Sequence, residues 1–136
     1  SVKLAEDTDN PLDCGFEKTC GLTGRVQGIC PDGWHLPDND EWNELFAAVG
    51  GIATAGKALK SQTGWDYNGS GSDDFGFSAI PISMYLDNGY MTMFWSATEK
   101  DEISSYLVAM GYSEDLALFV DDYEKPSQCP VRCLKD

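Results

Sequence analysis

Residues 28–51 read GICPDGWHLPDNDEWNELFAAVGG, and the fold is decided here. Pro31-Asp32-Gly33 is a turn signal, in which proline presets φ and glycine accepts an unusual backbone angle. Trp34 and Leu36 then alternate around His35 as a short, half-buried extended segment. After Pro37, Asp38 is placed to cap a helix, and Glu41 three residues on completes a capping box that satisfies free backbone N–H groups from both sides. Trp42, Leu45, Phe46 and Val49 recur at i, i+3, i+4 and i+7, which gives one apolar face. Gly50-Gly51 stops it. The spacing predicts a helix over 38–49, followed by a shorter one from Thr54 through Leu59 that Gly56 weakens.

Outward from these helices the period changes. Residues 61–72 (SQTGWDYNGSGS) are turn material, after which Phe75, Phe77, Ala79 and Pro81 fall at period two. Strand-like runs follow at 91–98 (MTMFWSAT), 105–110 (SYLVAM), 116–120 (LALFV) and 130–134 (PVRCL), separated by acidic turns. Helices early and antiparallel strands late predict an α+β domain, not an alternating βαβ fold. Residues 1–27 show neither period and read as a loop-rich lead-in, which a local Cys14–Cys20 bridge would close.

At 136 residues the chain is the size of one domain, taken here as 1–136. Its 23 acidic residues against 9 basic ones leave a net charge of −14, which repels phosphate backbones and anionic lipid. Nucleic acid and membrane insertion are set aside as partners, and no apolar run has the length of a span or a signal h-region. The start at Ser1 without Met is read as a mature or excised extracellular domain. Five cysteines without C-x-x-C spacing and a single His offer almost no raw material for a zinc site or a Ser-His-Asp triad. Disulfides in an oxidising compartment are the more natural use.

Five ordered blocks carry a resemblance: 28–51, then TAGKALKSQTGW (54–65), GSDDFGFSAIP (71–81), FWSATE (94–99) and VRCLKD (131–136), with the CGFEKTC lead-in (14–20) before them. Together they resemble the Fibrobacter succinogenes major paralogous domain, an extracellular bacterial family. The resemblance implies a disulfide-stabilised C-type-lectin-like, or formylglycine-generating-enzyme-like, fold in which two helices pack on a small twisted antiparallel sheet, WHLP leads into the first helix and the final R-C strand closes the sheet. It implies fold and export more firmly than activity. The chain departs from the family's pattern at Gln128, Cys129 and Pro130, where a G-F-S is usual, and in the segment 82–90. Cys129 is thus the candidate odd thiol, leaving a monomer or a Cys129-linked dimer open.

The cysteines pair in two ways: a long Cys30–Cys133 bridge closing the domain, or a local Cys129–Cys133 bridge, and spacing alone does not determine connectivity. The long one is favoured, since a loop of about 100 residues gains roughly 4.7 kcal/mol in the chain-entropy model. His35 lacks a nearby nucleophile and reads as structural. Asp66, Asn68, Asp73 and Asp74 concentrate hard oxygen donors on a glycine-hinged loop, so a structural Ca²⁺ site stands level with a solvated Asx-rich turn. By analogy with the resembled fold, Glu99 approaches this loop.

Aromatic residues beside turns are the remaining resource. Trp42 and Trp95 read as core, whereas Trp65, Tyr67, Tyr85, Tyr90, Tyr112 and Tyr123 sit where they stack on sugars or partner surfaces, with Glu99, Asp101, Glu114 and Asp115 in adjoining loops. The expectation is a secreted, non-catalytic module binding glycan or plant or microbial cell-wall polysaccharide. The alternative is an extracellular protein-binding adhesin or assembly domain on the same loops. A hydrolase working through two carboxylates stands behind both.

Overall fold

Asp38 Oδ1 accepts the Glu41 N–H at 2.9 Å, and Glu41 Oε2 accepts the Asp38 N–H at 3.1 Å. This reciprocal pair is the capping box, and it starts the helix one residue inside the expected bounds. In the computed structural model, which describes residues 17, 19–82, 89–125 and 129–136, strand β1 (Trp34–His35) precedes α1 (Asn39–Ala48) and α2 (Ile52–Leu59). Strands β2 (Met91–Glu99), β3 (Ser104–Gly111), β4 (Ala117–Glu124) and β5 (Leu134–Lys135) follow. The protein is a small α+β fold with two helices and antiparallel sheets. One sheet has the order β2-β3-β4, and the other pairs β1 with β5 in the register Trp34↔Lys135, His35↔Leu134.

The chain divides into two compact units: Ser1–Trp42, Phe94–Leu107 and Val120–Asp136 in one, Asn43–Met93 and Val108–Phe119 in the other. Each is assembled from segments distant in sequence, and α1, β2, β3 and β4 all pass from one unit to the other.

The first unit is tied at its ends. Cys30 and Cys133 are disulfide-bonded across a separation of 103 residues, with Cα atoms 5.8 Å apart. Around the bridge Cys30, Leu36 and Ala97 are buried, with Val26, Val131 and Cys133 packed on them. Cys20 is also disulfide-bonded, while Cys14 lies outside the described residues. Cys129 is a free, half-buried thiol, and burial pushes its pKa up to about 11.

The expected alternation around His35 holds at Leu36 and fails at Trp34 and His35. His35 and Leu36 are buried, while Trp34 is 39 % exposed. A strand of two residues has too little length to impose a period, and the imidazole finds a partner for each nitrogen. Nδ1 lies 2.6 Å from Asp136 Oδ1 and Nε2 lies 2.8 Å from Glu41 Oε1. Only the doubly protonated ring donates to both carboxylates. Burial lowers the His35 pKa, but the Glu41 and Asp136 hydrogen bonds and the Glu41 charge outweigh it and a smaller lowering from Arg25, so the net shift is upward. The folded state therefore holds this proton more tightly than the unfolded chain does. The stability it contributes is fully present below about pH 6.5 and is lost as pH rises through the raised folded value. Urea titrations of wild type and His35→Gln from about pH 5 to about pH 9 should show the largest gap at the acid end, narrowing upward. A gap that does not change with pH would mean that the ring is neutral throughout.

The second unit holds α2, which begins at Ile52, two residues before the expected Thr54. Gly56 sits inside this helix because a β-carbon there would collide with the carbonyls of Leu116 and Asp115. The chain trades helix propensity for that close approach. The expected period-two segment at 75–81 is not a strand. Left-handed backbone at Gly76 (φ 68°) and Ser78 (φ 53°) breaks it, leaving a single parallel bridge from Ala79 to Lys60.

Candidate functional site: a tyrosine cluster on a strained turn

Asp66, Tyr67, Asn68 and Gly69 form a tight turn closed by the Gly69 N–H donating to Asp66 O at 2.8 Å. Both central residues are left-handed, Tyr67 at φ 50° and Asn68 at φ 59°. Asparagine tolerates that region, but for a bulky aromatic it costs roughly 1–2 kcal/mol. The surroundings hold it there. The Asp66 N–H donates to Gly89 O at 3.0 Å, Gly89 lies too close to the Asp66 side chain for any β-carbon, and Gly69 lies equally close to the Tyr112 backbone. The Tyr112 N–H in turn donates to Tyr90 O at 2.8 Å. Three backbone segments far apart in sequence are thus knitted together.

Their side chains meet. Ring centroids lie 5.5 Å apart for Tyr67–Tyr112, 5.9 Å for Tyr67–Tyr90 and 5.2 Å for Tyr90–Tyr112. Tyr67 is 74 % exposed, whereas Tyr90 and Tyr112 are half-buried and support it.

Beneath the cluster Lys60 is buried, and its Nζ donates to Gly111 O and Glu114 O, each at 2.9 Å. The ammonium also sits 5.1 Å from the centre of the Trp65 ring. Burial lowers the Lys60 pKa. Lys57 adds its backbone N–H to Asp115 O at 2.9 Å. Together these bonds clamp the turn that follows Tyr112 onto α2.

The expected site residues part company here. Tyr67, Tyr90 and Tyr112 come together. Trp65 is instead buried at 7 % exposure, its indole N–H shared between Ser61 Oγ and Ala79 O, so its ring supports the loop from below and is not displayed. Tyr85 lies outside the described residues. Glu114 and Asp115 are exposed, with Asp115 4.0 Å from Lys57.

Three others lie in the first unit, where each has a structural partner. Glu99 accepts the N–H groups of Cys20 and Gly21, each at 3.1 Å, and pairs at 2.9 Å with buried Lys125. Asp101 Oδ1 accepts from Ser104 and Ile103 N–H, and these bonds lower its pKa. The Tyr123 ring packs edge-on to Trp95 with centroids 6.4 Å apart. A cavity of about 300 Å³ in the same unit has Asp38, Thr98, Glu99 and Lys100 on its walls. Each of those side chains is engaged with a neighbour, in Glu41, Asn39, Lys125 and Asp121 respectively.

Of the expected metal ligands, Asp66 and Asn68 belong to the Tyr67 turn. Asp73 accepts both the N–H and the hydroxyl of Ser78, and Asp74 accepts the Ser72 hydroxyl at 2.8 Å. Among the described residues no group of three or more His, Cys, Asp or Glu side chains is placed to hold a metal ion. Likewise among those residues, no helix is long and apolar enough to cross a membrane.

No curated protein and no solved structure matches the chain. The sequence model of the Fibrobacter succinogenes major domain matches residues 8–135, and the chain therefore belongs to that family.

Proposed function

We propose that this protein is an extracellular, non-catalytic recognition module with a C-type-lectin-like fold, and that it binds glycan through Tyr67 and its two supporting tyrosines. The observation that carries the proposal is the left-handed backbone under Tyr67. A turn that stores strain to hold an aromatic ring 74 % exposed is hard to explain by packing alone. Tyrosine stacks on sugar faces while its hydroxyl stays wet. Disulfide-bonded Cys20, Cys30 and Cys133 support an oxidising, extracellular setting.

The test is a pulldown on insoluble polysaccharides together with a glycan array, comparing wild type with Tyr67→Ala. Because the ring is exposed, the variant should fold normally and lose about tenfold in affinity, equivalent to about 1.4 kcal/mol of stacking. Equal retention of both proteins would rule the cluster out. A second reading, a protein-binding adhesin or assembly domain, draws on the exposed acidic residues Asp121, Asp122 and Glu124 of β4. Binding of that kind should weaken in high salt, whereas sugar stacking should persist.

A further inference from the structure

Resting on the glycan reading, we infer that the cluster takes a single uncharged sugar residue of a soluble chain or chain end, and not the flat face of a crystalline polysaccharide. The geometry of the three rings makes the case. Their planes are inclined to one another by 44°, 54° and 88°, so no two are coplanar and these three rings form no extended platform. At centroid distances of 5.2 to 5.9 Å they are in direct contact, leaving no space for a sugar or an ammonium group between them. What remains for a ligand is the outward surface of Tyr67, about one sugar ring wide. Asp66 and Asn68 flank Tyr67 in the same turn, and the Tyr90 hydroxyl donates to that of Tyr67 at 3.4 Å, so hydrogen-bonding groups for sugar hydroxyls adjoin the ring. Asp66, Glu114 and Asp115, on the elements carrying Tyr67 and Tyr112, together with a net charge of −14, oppose an anionic sugar.

The experiment is a calorimetric titration with glucose, mannose and xylose and with the β-1,4-linked tetrasaccharide of each. Adsorption to microcrystalline cellulose and to polygalacturonate is measured alongside. At least one neutral monosaccharide should bind with a Kd of about 1 mM, its tetrasaccharide should bind less than about tenfold more tightly, and Tyr67→Ala should weaken both by about tenfold. A gain of about tenfold or more with chain length would reveal an extended cleft and overturn the one-residue site. Stronger adsorption to crystalline cellulose than to soluble chains would overturn it too, and preference for polygalacturonate would overturn the exclusion of charge. Failure to bind any saccharide would instead remove the glycan reading beneath it.

Discussion

Replacing Cys30 and Cys133 together by serine is expected to lower the unfolding free energy by about 4–5 kcal/mol, the largest effect of any change considered for this protein. The bridge spans 103 residues, and the chain-entropy cost of closing a loop of that length is roughly 4.7 kcal/mol. Against a typical total of about 5–15 kcal/mol, this is a third or more of the stability. The loss should not stop at entropy. The β1–β5 pairing and the His35–Asp136 contact join the same two parts of the chain. With the covalent tie gone, both should open together. Urea unfolding of the double variant measures the cost, and amide exchange at Trp34, His35 and Leu134 reports whether the pairing frays ahead of the rest. A loss below about 1 kcal/mol would mean that packing around Leu36 and Ala97 closes the unit without the bridge.

Lys60→Met should cost about 3 kcal/mol. Methionine nearly matches the volume of the lysine stem, so the change removes the ammonium while leaving the packing largely intact. Gly111 O and Glu114 O, both in part-buried hydrogen bonds, each lose a charge-assisted donor, and a hydrogen bond to a charged group contributes about 1.5–3 kcal/mol. Desolvation opposes this, since burying the ammonium is itself unfavourable and already lowers its pKa. The geometry decides the sign, because two carbonyls converge on the one Nζ and the Trp65 ring lies close to it. The loss should have a local signature as well, with faster amide exchange at Tyr112 and in the residues to Asp115. A variant within about 0.5 kcal/mol of wild type would show that water replaces the ammonium at no cost.

How much of this was legible in the sequence depended on how far apart the interacting residues lie. The first helix could be read because its cap, apolar face and stop all fall within a single contiguous stretch, from Asp38 to Gly51. Gly56 was recognised as a weakness in the second helix, but its reason lies in the carbonyls of Asp115 and Leu116, which no local pattern reveals. The segment 75–81 misled because alternation of side chains says nothing of φ. Two left-handed residues, Gly76 and Ser78, turn a strand-like pattern into an irregular one. Trp65 misled for the converse reason. It precedes a glycine-rich loop and so looks exposed, yet Ser61 and Ala79 give its N–H a buried home.

Each tyrosine of the cluster could be named from its place beside a turn, but their convergence could not. Tyr67, Tyr90 and Tyr112 lie on separate segments joined by backbone hydrogen bonds, with Gly69 and Gly89 permitting the close approach. Nothing in the sequence marks out Lys60. A lone lysine at the end of a short helix carries no signal of burial, and only the carbonyls that receive it mark it out.

The most direct test of the Tyr67 cluster as a sugar-binding face is a two-dimensional NMR titration that follows the tyrosine ring resonances as a neutral β-1,4-linked disaccharide is added. The ring signals of Tyr67 should move furthest, those of Tyr90 and Tyr112 less, with backbone shifts confined to residues 66–69, 89–90 and 111–113. Shifts centred elsewhere, or none from Tyr67 while another face responds, would contradict the assignment.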